Sequence, residues 1–540
     1  MRGAPKDIPS GWIETTIQEL FAALDDDRTL HQGWSPQCEK VASGSEDEWG
    51  VLRTTSIQAG RFLPEHNKRL PDNLVPRPLL EVRAGDILIT CAGPRVRCGV
   101  ASLVRSVRKR LMMSGKMYRF RVPDDFIDPR YVEGYIQTPE AQSAIDAMKT
   151  GGSDSGLNLT HSRFRQLPIR VAPLNEQRRI MDTLEELESD LDAGITALER
   201  VKKKLTQYRA ALLKAATEGT LTEDWRKQHA DTEPASILLT RILAERRCCW
   251  EQDQLRKFLA TSKEPHKNWK ARYNEPSAPD ATSLPALPDG WCWATCDQLA
   301  WNAGYGTSEK CRESNSGLAV LRIPNIIAGK LDVTDLKYAP PDYSEREEDL
   351  VRAGDLLIVR TNGSRDLIGR GAVVRGPLAV RLSFASYLIR LRLVPLSPLL
   401  RWVALTWGSA HVRQWIESRA ATSAGQFNIN LRVLCALPVP IPPLAEQEAI
   451  ADIVEDQLSV VEHLEVDLES RVSSATALRK AMLRHAFSGQ LVPQCPDDEP
   501  ASNLFQQIAN ARAERARQVL ATKNTQKHQH ASGGRATASN

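Results

Sequence analysis

The sequence predicts an α+β fold made twice: two similar globular domains of mixed strand and helix, separated by a pair of long antiparallel coiled-coil helices, related by internal duplication with pseudo-two-fold symmetry. Three observations carry this reading. Short motifs recur in the same order about 270 residues apart. Each copy ends in a long apolar run at heptad spacing, and each begins with short apolar runs broken by Gly, Pro, Asn and Asp.

The repeat is collinear. Pro173-Leu-Asn-Glu-Gln177 returns as Pro443-Leu-Ala-Glu-Gln447, and Tyr208-Arg-Ala-Ala-Leu212 returns as Leu478-Arg-Lys-Ala-Met482, both offset by 270 residues. Ile8-Pro-Ser-Gly-Trp12 answers Leu287-Pro-Asp-Gly-Trp291, Val51-Leu-Arg53 answers Val320-Leu-Arg322, and Arg83-Ala-Gly-Asp86 answers Arg352-Ala-Gly-Asp355. Glu233-Pro-Ala-Ser236 recurs at Glu499-Pro-Ala-Ser502. A period this long, present twice, marks two copies of a domain plus helix and not a solenoid.

Taken in order, residues 1–172 form the first globular domain, in which Asp86-Ile-Leu-Ile-Thr90 reads as a buried strand led in by a Gly-Asp turn and 129–148 as helical. Residues 173–219 form the first coiled-coil helix. Leu184, Leu191, Leu198, Leu205 and Leu212 stand seven apart, with Leu187, Val201 and Tyr208 between them. Pro173 suits its start and Gly219 its stop. At about 1.5 Å per residue the rod spans roughly 65 Å.

Residues 220–286 hold a charged helical stretch, 235–259, and a Pro- and Ser-rich linker. The second domain follows at 287–441, with Asp355-Leu-Leu-Ile-Val359 as the matching strand and 398–419 as the matching helical stretch. The second coiled-coil helix is 442–489, whose seam includes Val454, Val461, Leu468 and Met482 and is interrupted by Gln457 and Arg471. Neither apolar stripe suits water, and the nearest partner for each is the other copy, running antiparallel; an identical rod in a second chain is the competing partner. Residues 490–540 hold a further helical segment, 503–522, and a polar tail from about Thr522 that reads as disordered.

Composition bounds the function. A hydrophobic fraction of 41% allows ample cores, and a net charge of +4 over 540 residues means that any nucleic-acid affinity must come from local basic patches. The ten cysteines have no zinc-site spacing; Cys292 and Cys296 lie four apart and read as idle thiols. No apolar run approaches the roughly 20 residues of a membrane span, so the expectation is a reduced, cytoplasmic protein without membrane attachment.

Catalytic signatures are missing. There is no Walker loop, GxSxG, HExxH or dinucleotide fingerprint, and no Asn-Pro-Pro-aromatic or nuclease-type Pro-Asp…Glu-x-Lys motif. Gly304-Tyr-Gly306 reads as a turn, and His161, His411, His463 and His485 have no ligand-spaced partners. Basic residues gather at matching places: Arg95, Arg97, Arg105, Arg108, Lys109, Arg110 and Lys116 in the first copy, Arg360, Arg365, Arg370, Arg375 and Arg381 in the second. Charge runs are usually solvated faces. Recurrence beside the Gly-Asp strand favours DNA contact, because a guanidinium can grip a phosphate or the edge of guanine, with Asn362 and Ser364 nearby.

The ordered motifs resemble one family, the specificity subunits of type I restriction-modification systems. The residues that carry the resemblance are the Pro-x-Gly-Trp openings, the Gly-Asp strands, Gly156-Leu-Asn158 and Gly425-Gln-Phe-Asn428, and the Pro-Leu-x-Glu-Gln helix starts. Pro442-Pro443 fits the double proline usual before the second helix, whereas Ala172-Pro173 departs from it in the first.

The resemblance implies two target-recognition domains held apart by the helices. Each domain reads one half of a bipartite asymmetric DNA site, the helices set the spacer, and the chain has no catalytic residues and no metal or cofactor of its own. It also implies two modification (methyltransferase) subunits and two restriction (translocase-nuclease) subunits as partners, carrying S-adenosylmethionine, ATP and Mg, for adenine methylation and DNA cleavage in defence against foreign DNA. The segments 235–259 and 503–522 are expected to dock such partners.

Candidate DNA contacts are Arg53, Arg61, Arg95, Arg97, Lys116, Arg322, Asn325, Arg360, Asn362, Ser364, Arg365 and Arg370. Candidate coiled-coil residues are Leu184, Leu191, Leu198, Leu205, Leu212, Val454, Val461, Leu468 and Met482. The competing functions are a recognition subunit serving a type II methyltransferase-nuclease in one polypeptide, a coiled-coil scaffold with no DNA role, and a self-sufficient nuclease or methyltransferase.

Overall fold

The computed structural model describes residues 8–514 except Asp25, Lys263, 314–316, Ala328, Glu345 and Ala424, together with Arg517. Two compact units emerge, the first made of 1–198 with 469–540 and the second of 199–468. The long helices, Leu174–Glu218 and Leu444–Ala486, each contribute one part to either unit.

The first unit is built on an antiparallel four-stranded sheet in the order His31–Gln32, Met117–Phe120, Ile87–Thr90, Ala101–Leu103. Ile87, Leu88 and Ile89 are fully buried, because side chains from both faces of this sheet enter cores. Beside it, Gly50–Leu52 is flanked by Leu111–Met112 in parallel and Asn67–Arg69 antiparallel. Ile13–Thr16 pairs with Pro168–Val171 and so ties the start of the domain to the residues that lead into the long helix.

The stretch 129–148 is two helices, Pro129–Gln137 and Pro139–Met148. Thr138 ends one and caps the next, accepting from Ala141 N, and Pro139 supplies no N–H to continue the first. These helices pack on the long ones: Phe487 lies edge-on to Tyr131 and Tyr135, at ring-centroid distances of 4.9 and 5.5 Å. Ile180, Met181 and Leu184 near the start of one long helix share this core with Met482 and Leu483 near the end of the other. Asp192 further along pairs with Arg479 further back, so the two helices run antiparallel within the unit.

The second unit repeats the plan. Ala300–Tyr305, Leu388–Leu393, Asp355–Val359 and Gly371–Val373 form the four-stranded antiparallel sheet. Ala319–Leu321 sits between Leu382–Phe384, parallel, and Lys337–Tyr338, antiparallel. Cys292–Thr295 pairs with Pro438–Ile441. The stretch 398–419 is again two helices, Ser397–Trp407 and Ala410–Arg419, broken at Gly408 with Ser409 as the new cap. Leu212, Leu213 and Ala216 of one long helix pack with Ile450, Ala451 and Val454 of the other, antiparallel here as well. Gln457 is no defect in the seam, because its Oε1 accepts from Tyr208 Oη at 2.9 Å.

Two expectations need correction. Gly304-Tyr-Gly306 is not a turn: Gly304 and Tyr305 end a strand paired with Arg390 and Ile389, and Gly306 runs so close to Phe384 O that a Cβ would sit 2.0 Å from it. The coiled-coil seam is only partly withdrawn from water. Leu184, Leu212, Val454, Val461, Leu468 and Met482 are buried, Leu191, Leu198 and Leu205 are half-buried, and Val201, Tyr208, Leu464 and Leu478 are exposed. In the linker before the second domain, Tyr273 Oη accepts from buried Arg246 of helix Ala235–Ala260 at 2.6 Å, and the same guanidinium donates to Ala300 O at 3.0 Å.

Ala235, Leu238 and Ile242 belong to the second unit's core, and Ala501, Leu504 and Ile508 belong to the first unit's, so the apolar faces of these helical segments are used within their own units. The tail from Thr522 to Asn540 lies outside the described residues.

Candidate nucleic-acid interface

Each unit presents the same three segments at the outer end of its Gly-Asp strand. The turn itself is fixed by chemistry: Gly85 and Gly354 take φ of +86°, and Asp86 and Asp355 accept from the backbone N–H of Arg83 and Arg352 at 2.7 and 2.8 Å. Both aspartates are fully buried. Arg121 Nε donates to Asp86 at 2.6 Å, and Arg392 donates to Asp355 from Nε at 2.7 Å and from Nη2 at 2.9 Å. Burial pushes the Asp86 carboxyl up, against the pull of Arg119 and Arg121.

The strand then delivers the first segment, residues 91–99 in one unit and 360–369 in the other. The second is the Leu-Asn or Gln-Phe-Asn strand, which pairs with the first: Leu157–Asn158 with Ala92–Gly93, and Asn428 and Phe427 with Thr361 and Asn362. The third is a turn at Lys116 or Tyr387, whose carbonyl accepts from Cys91 N or Arg360 N at 2.8 Å in both units. A cation just past the end of the second short helix in the first unit, and within it in the second, holds the loop from beneath. Lys149 Nζ donates to Arg95 O at 3.0 Å, and Arg413 donates to Arg365 O at 2.7 Å and Ile368 O at 2.7 Å.

The candidate residues divide sharply on this frame. In the first unit Lys116 is exposed on its turn, and Arg53 and Arg61 are exposed around the Ile57–Gln58 and Arg61–Phe62 hairpin. Arg95 is exposed but answered by Asp154 at 2.9 Å and Asp146 at 3.6 Å. Arg97 turns inward, donating to Gln58 Oε1 at 3.0 Å and Thr54 O at 2.7 Å, so its role is to anchor that hairpin.

In the second unit Asn325 is 1% exposed. Its amide is used up by Arg322 N, Asp332 O and Asp335 O, which removes it from any surface contact. Arg322 pairs with Asp335 at 3.1 Å. Arg360 lies over the Tyr305 ring at 4.5 Å. Asn362 Oδ1 accepts from Ser364 N at 2.8 Å, shaping the loop tip that carries exposed Ser364 and Arg365, and Arg370 is half-buried at its base.

Sequence reasoning missed Tyr387, 57% exposed on the turn equivalent to Lys116, and the clamp Arg413. An exposed aromatic leaves no mark in a periodicity, and a clamp is defined only by the carbonyls that it reaches. Among the described residues no three His, Cys, Asp or Glu gather as metal ligands. Burial pushes the Cys292 thiol up to about 11 and Cys296 well above its ordinary value, as expected of inert thiols. Among the described residues no helix is long and apolar enough to cross a membrane.

No family model matches the chain. It is 34% identical over 212 residues to the type I restriction enzyme EcoEI specificity subunit of Escherichia coli, a match covering 39% of this chain and 35% of that one. It is 23% identical over 498 residues to the type I restriction enzyme StySPI specificity subunit of Salmonella potsdam, covering 91% of this chain and 92% of that one. A solved structure described as the structural basis of complex assembly and conformational transition of the type I R-M system superposes with a TM-score of 0.56 at 15% identity, over 90% of this chain and all of the other, and so shares its fold. With its duplicated motifs in their order and a match along 91% of its length, the chain is similar over most of its length to the specificity subunits of type I restriction enzymes.

Proposed function

We propose that this chain is the sequence-specific DNA-recognition subunit of a type I restriction-modification complex. Each globular domain reads one half of a bipartite asymmetric site and the long helices set the spacer. The observation that carries the reading is the match to the StySPI specificity subunit over 91% of the chain. The loops support it: a duplicated frame bears unlike residues at its tips, Lys116 in one copy and Tyr387 in the other, as unlike half-sites require.

The chain itself is non-catalytic in this reading. Two modification subunits would supply adenine methylation with S-adenosylmethionine, and two restriction subunits would supply ATP-driven translocation and cleavage with Mg, in the cytoplasm. No observation favours a fused type II partner, a DNA-free scaffold or a self-sufficient enzyme.

The test is a map of methylated adenines in cells with and without the chain. One bipartite motif should vanish with the deletion; an unchanged map refutes the reading. Four residues added to both rods, about 6 Å of helix, should lengthen the spacer by about two base pairs at roughly 3.4 Å each, with both half-sites intact. Altered half-sites would refute the division of labour between domains and helices.

A further inference from the structure

We infer that a depression on the second unit, between the loop 360–369 and the helix Ala410–Arg419, holds one backbone phosphate of duplex DNA. Arg365 and Arg419 are its ligands, and Arg413 is the residue that positions the loop. The inference rests on the recognition reading above and adds a site to it.

The depression measures about 480 Å³ and has Arg365 on one wall, Trp415 and Arg419 on the other, and His411 and Glu417 along its border. Arg413 is wholly committed to structure. Its Nη2 donates to Arg365 O at 2.7 Å, its Nη1 to Ile368 O at 2.7 Å and Asp366 O at 3.2 Å, and its Nε pairs with Glu417. Five N–H groups in one rigid plane allow a single side chain to hold three carbonyls of one loop turn. The Cα of Arg365 is thereby fixed against the helix while its own guanidinium stays exposed.

Arg419 is pre-oriented in a different way. Its guanidinium lies on the Trp415 ring, 3.4 Å from the centroid, with Nη1 donating to Ser418 Oγ at 2.9 Å. Stacking occupies the face of the guanidinium and leaves edge N–H groups for a ligand. Trp415 Nε1, shielded from water, has no hydrogen-bond partner among the described residues, which is uncommon for a buried donor.

Of the acceptors nearby, Glu417 pairs with Arg413 and the His411 ring contacts Pro438 O at 3.0 Å, while the Asp366 carboxylate stays exposed, 4.0 Å from the Arg413 guanidinium. Neither Arg365 nor Arg419 has a carboxylate partner among the described residues. What remains is a set of donors facing one shallow space. That arrangement fits an oxyanion with several lone pairs better than a base edge, which also presents donors in most registers.

The first unit has no such site at the equivalent place, because Arg95 is held by Asp154 and Asp146 and the clamp is Lys149, itself paired with Asp146.

The experiment uses the full chain co-purified with its methyltransferase partner and a duplex containing one mapped methylation site. Binding is titrated over a range of KCl concentrations. For Arg365→Ala with Arg419→Ala, the dissociation constant should rise roughly tenfold at low salt, and the slope of log affinity against log salt should become shallower by about 1. The methylated motif should not change. A single methylphosphonate linkage should weaken wild type at one backbone position and have no further effect on the double variant.

Arg413→Ala should mimic Arg365→Ala alone, add nothing in its background, and be partly rescued by Arg413→Lys, with the melting temperature of the chain unmoved by the lysine. An unchanged slope overturns the site, and so does a motif relaxed at one base with the slope unchanged, since Arg365 would then read a base. Wild-type complex that ignores duplex DNA would sink the recognition reading itself, and this site with it.

Discussion

Trp12 donates its indole Nε1–H to Glu176 Oε2 at 3.0 Å in the first unit, and Trp291 does the same to Glu446 Oε2 at 2.8 Å in the second. The bond joins the opening Pro-x-Gly-Trp motif to the Pro-Leu-x-Glu-Gln motif at the start of each long helix, so two of the recurring motifs are partners in one buried contact. The glutamine next door completes it: Gln177 Nε2 donates to Ala172 O at 2.8 Å and Gln447 Nε2 to Pro442 O at 2.9 Å. These residues orient the helix on the domain.

The two glutamates are not equivalent in energy. Glu446 also accepts from Thr222 Oγ1 at 2.6 Å and pairs with Arg226, whereas Glu176 Oε1 has no hydrogen-bond partner among the described residues. Glu446→Ala should therefore destabilise by about 3–5 kcal/mol, because a largely buried guanidinium loses its counter-ion. Glu176→Gln keeps the acceptor for Trp12 and should stay within about 1 kcal/mol of wild type. Urea denaturation of the full chain measures both; equal losses would show that the Arg226 pair is energetically idle.

Glu133 gives a pH signature. It is 3% exposed, and its Oε1 accepts from Leu103 N at 2.6 Å. Burial pushes its carboxyl up, against the Leu103 N–H and Arg105. The native state thus binds this proton more tightly than the unfolded chain. The group's contribution to stability is complete below the ordinary carboxylate range and declines as pH rises through the raised native value. Glu133→Gln removes that decline while keeping the acceptor. Its stability relative to wild type should rise from about pH 4 to pH 8, and denaturation curves that stay parallel across this range would contradict it.

Asp355 and Arg392 form a buried pair, 0% and 7% exposed at the side chain. Asp355→Ala leaves the guanidinium charged and unanswered beneath the Gly-Asp turn and should cost about 3–5 kcal/mol. Asp355→Leu combined with Arg392→Met should cost less than Asp355→Ala alone, since neither partner is left unpaired. A double variant less stable than the single would mean that the pair stabilises the turn beyond cancelling its own desolvation.

Gly369 closes the loop that carries Arg365. Its φ is +77°, and an added Cβ would lie 2.5 Å from Ile416 Cδ1. Gly369→Ala should cost about 1–2 kcal/mol from the left-handed backbone alone. It should also lower DNA affinity, because the loop must lift from the helix to clear Ile416. A thermal shift and the salt titration read the two effects; retained affinity would show that the loop tip moves independently of its base.

The duplication was legible in detail. The matched motifs fall at matched places in the two units, and the Gly-Asp turn, the buried strand after it and both long helices are where their spacing puts them. Site residues were legible only as residue types. Arg95, Arg97 and Arg365 look alike along the chain, yet one is neutralised by aspartates, one is turned inward and one is free. Asn325 looks like a surface reader and is a buried loop staple. The seam failed for a related reason: heptad spacing states which residues can face a partner, not how much of that face a partner covers.

By itself the sequence determined the twofold repeat, the helices and the family resemblance, because periodicity, turn chemistry and motif order are properties of the chain alone. Only the tertiary structure decided which cations are available for a ligand. A guanidinium's freedom depends on the carboxylates and carbonyls that folding brings within reach, and these lie far apart along the chain, as Arg95 does from Asp154 and Arg413 from Arg365.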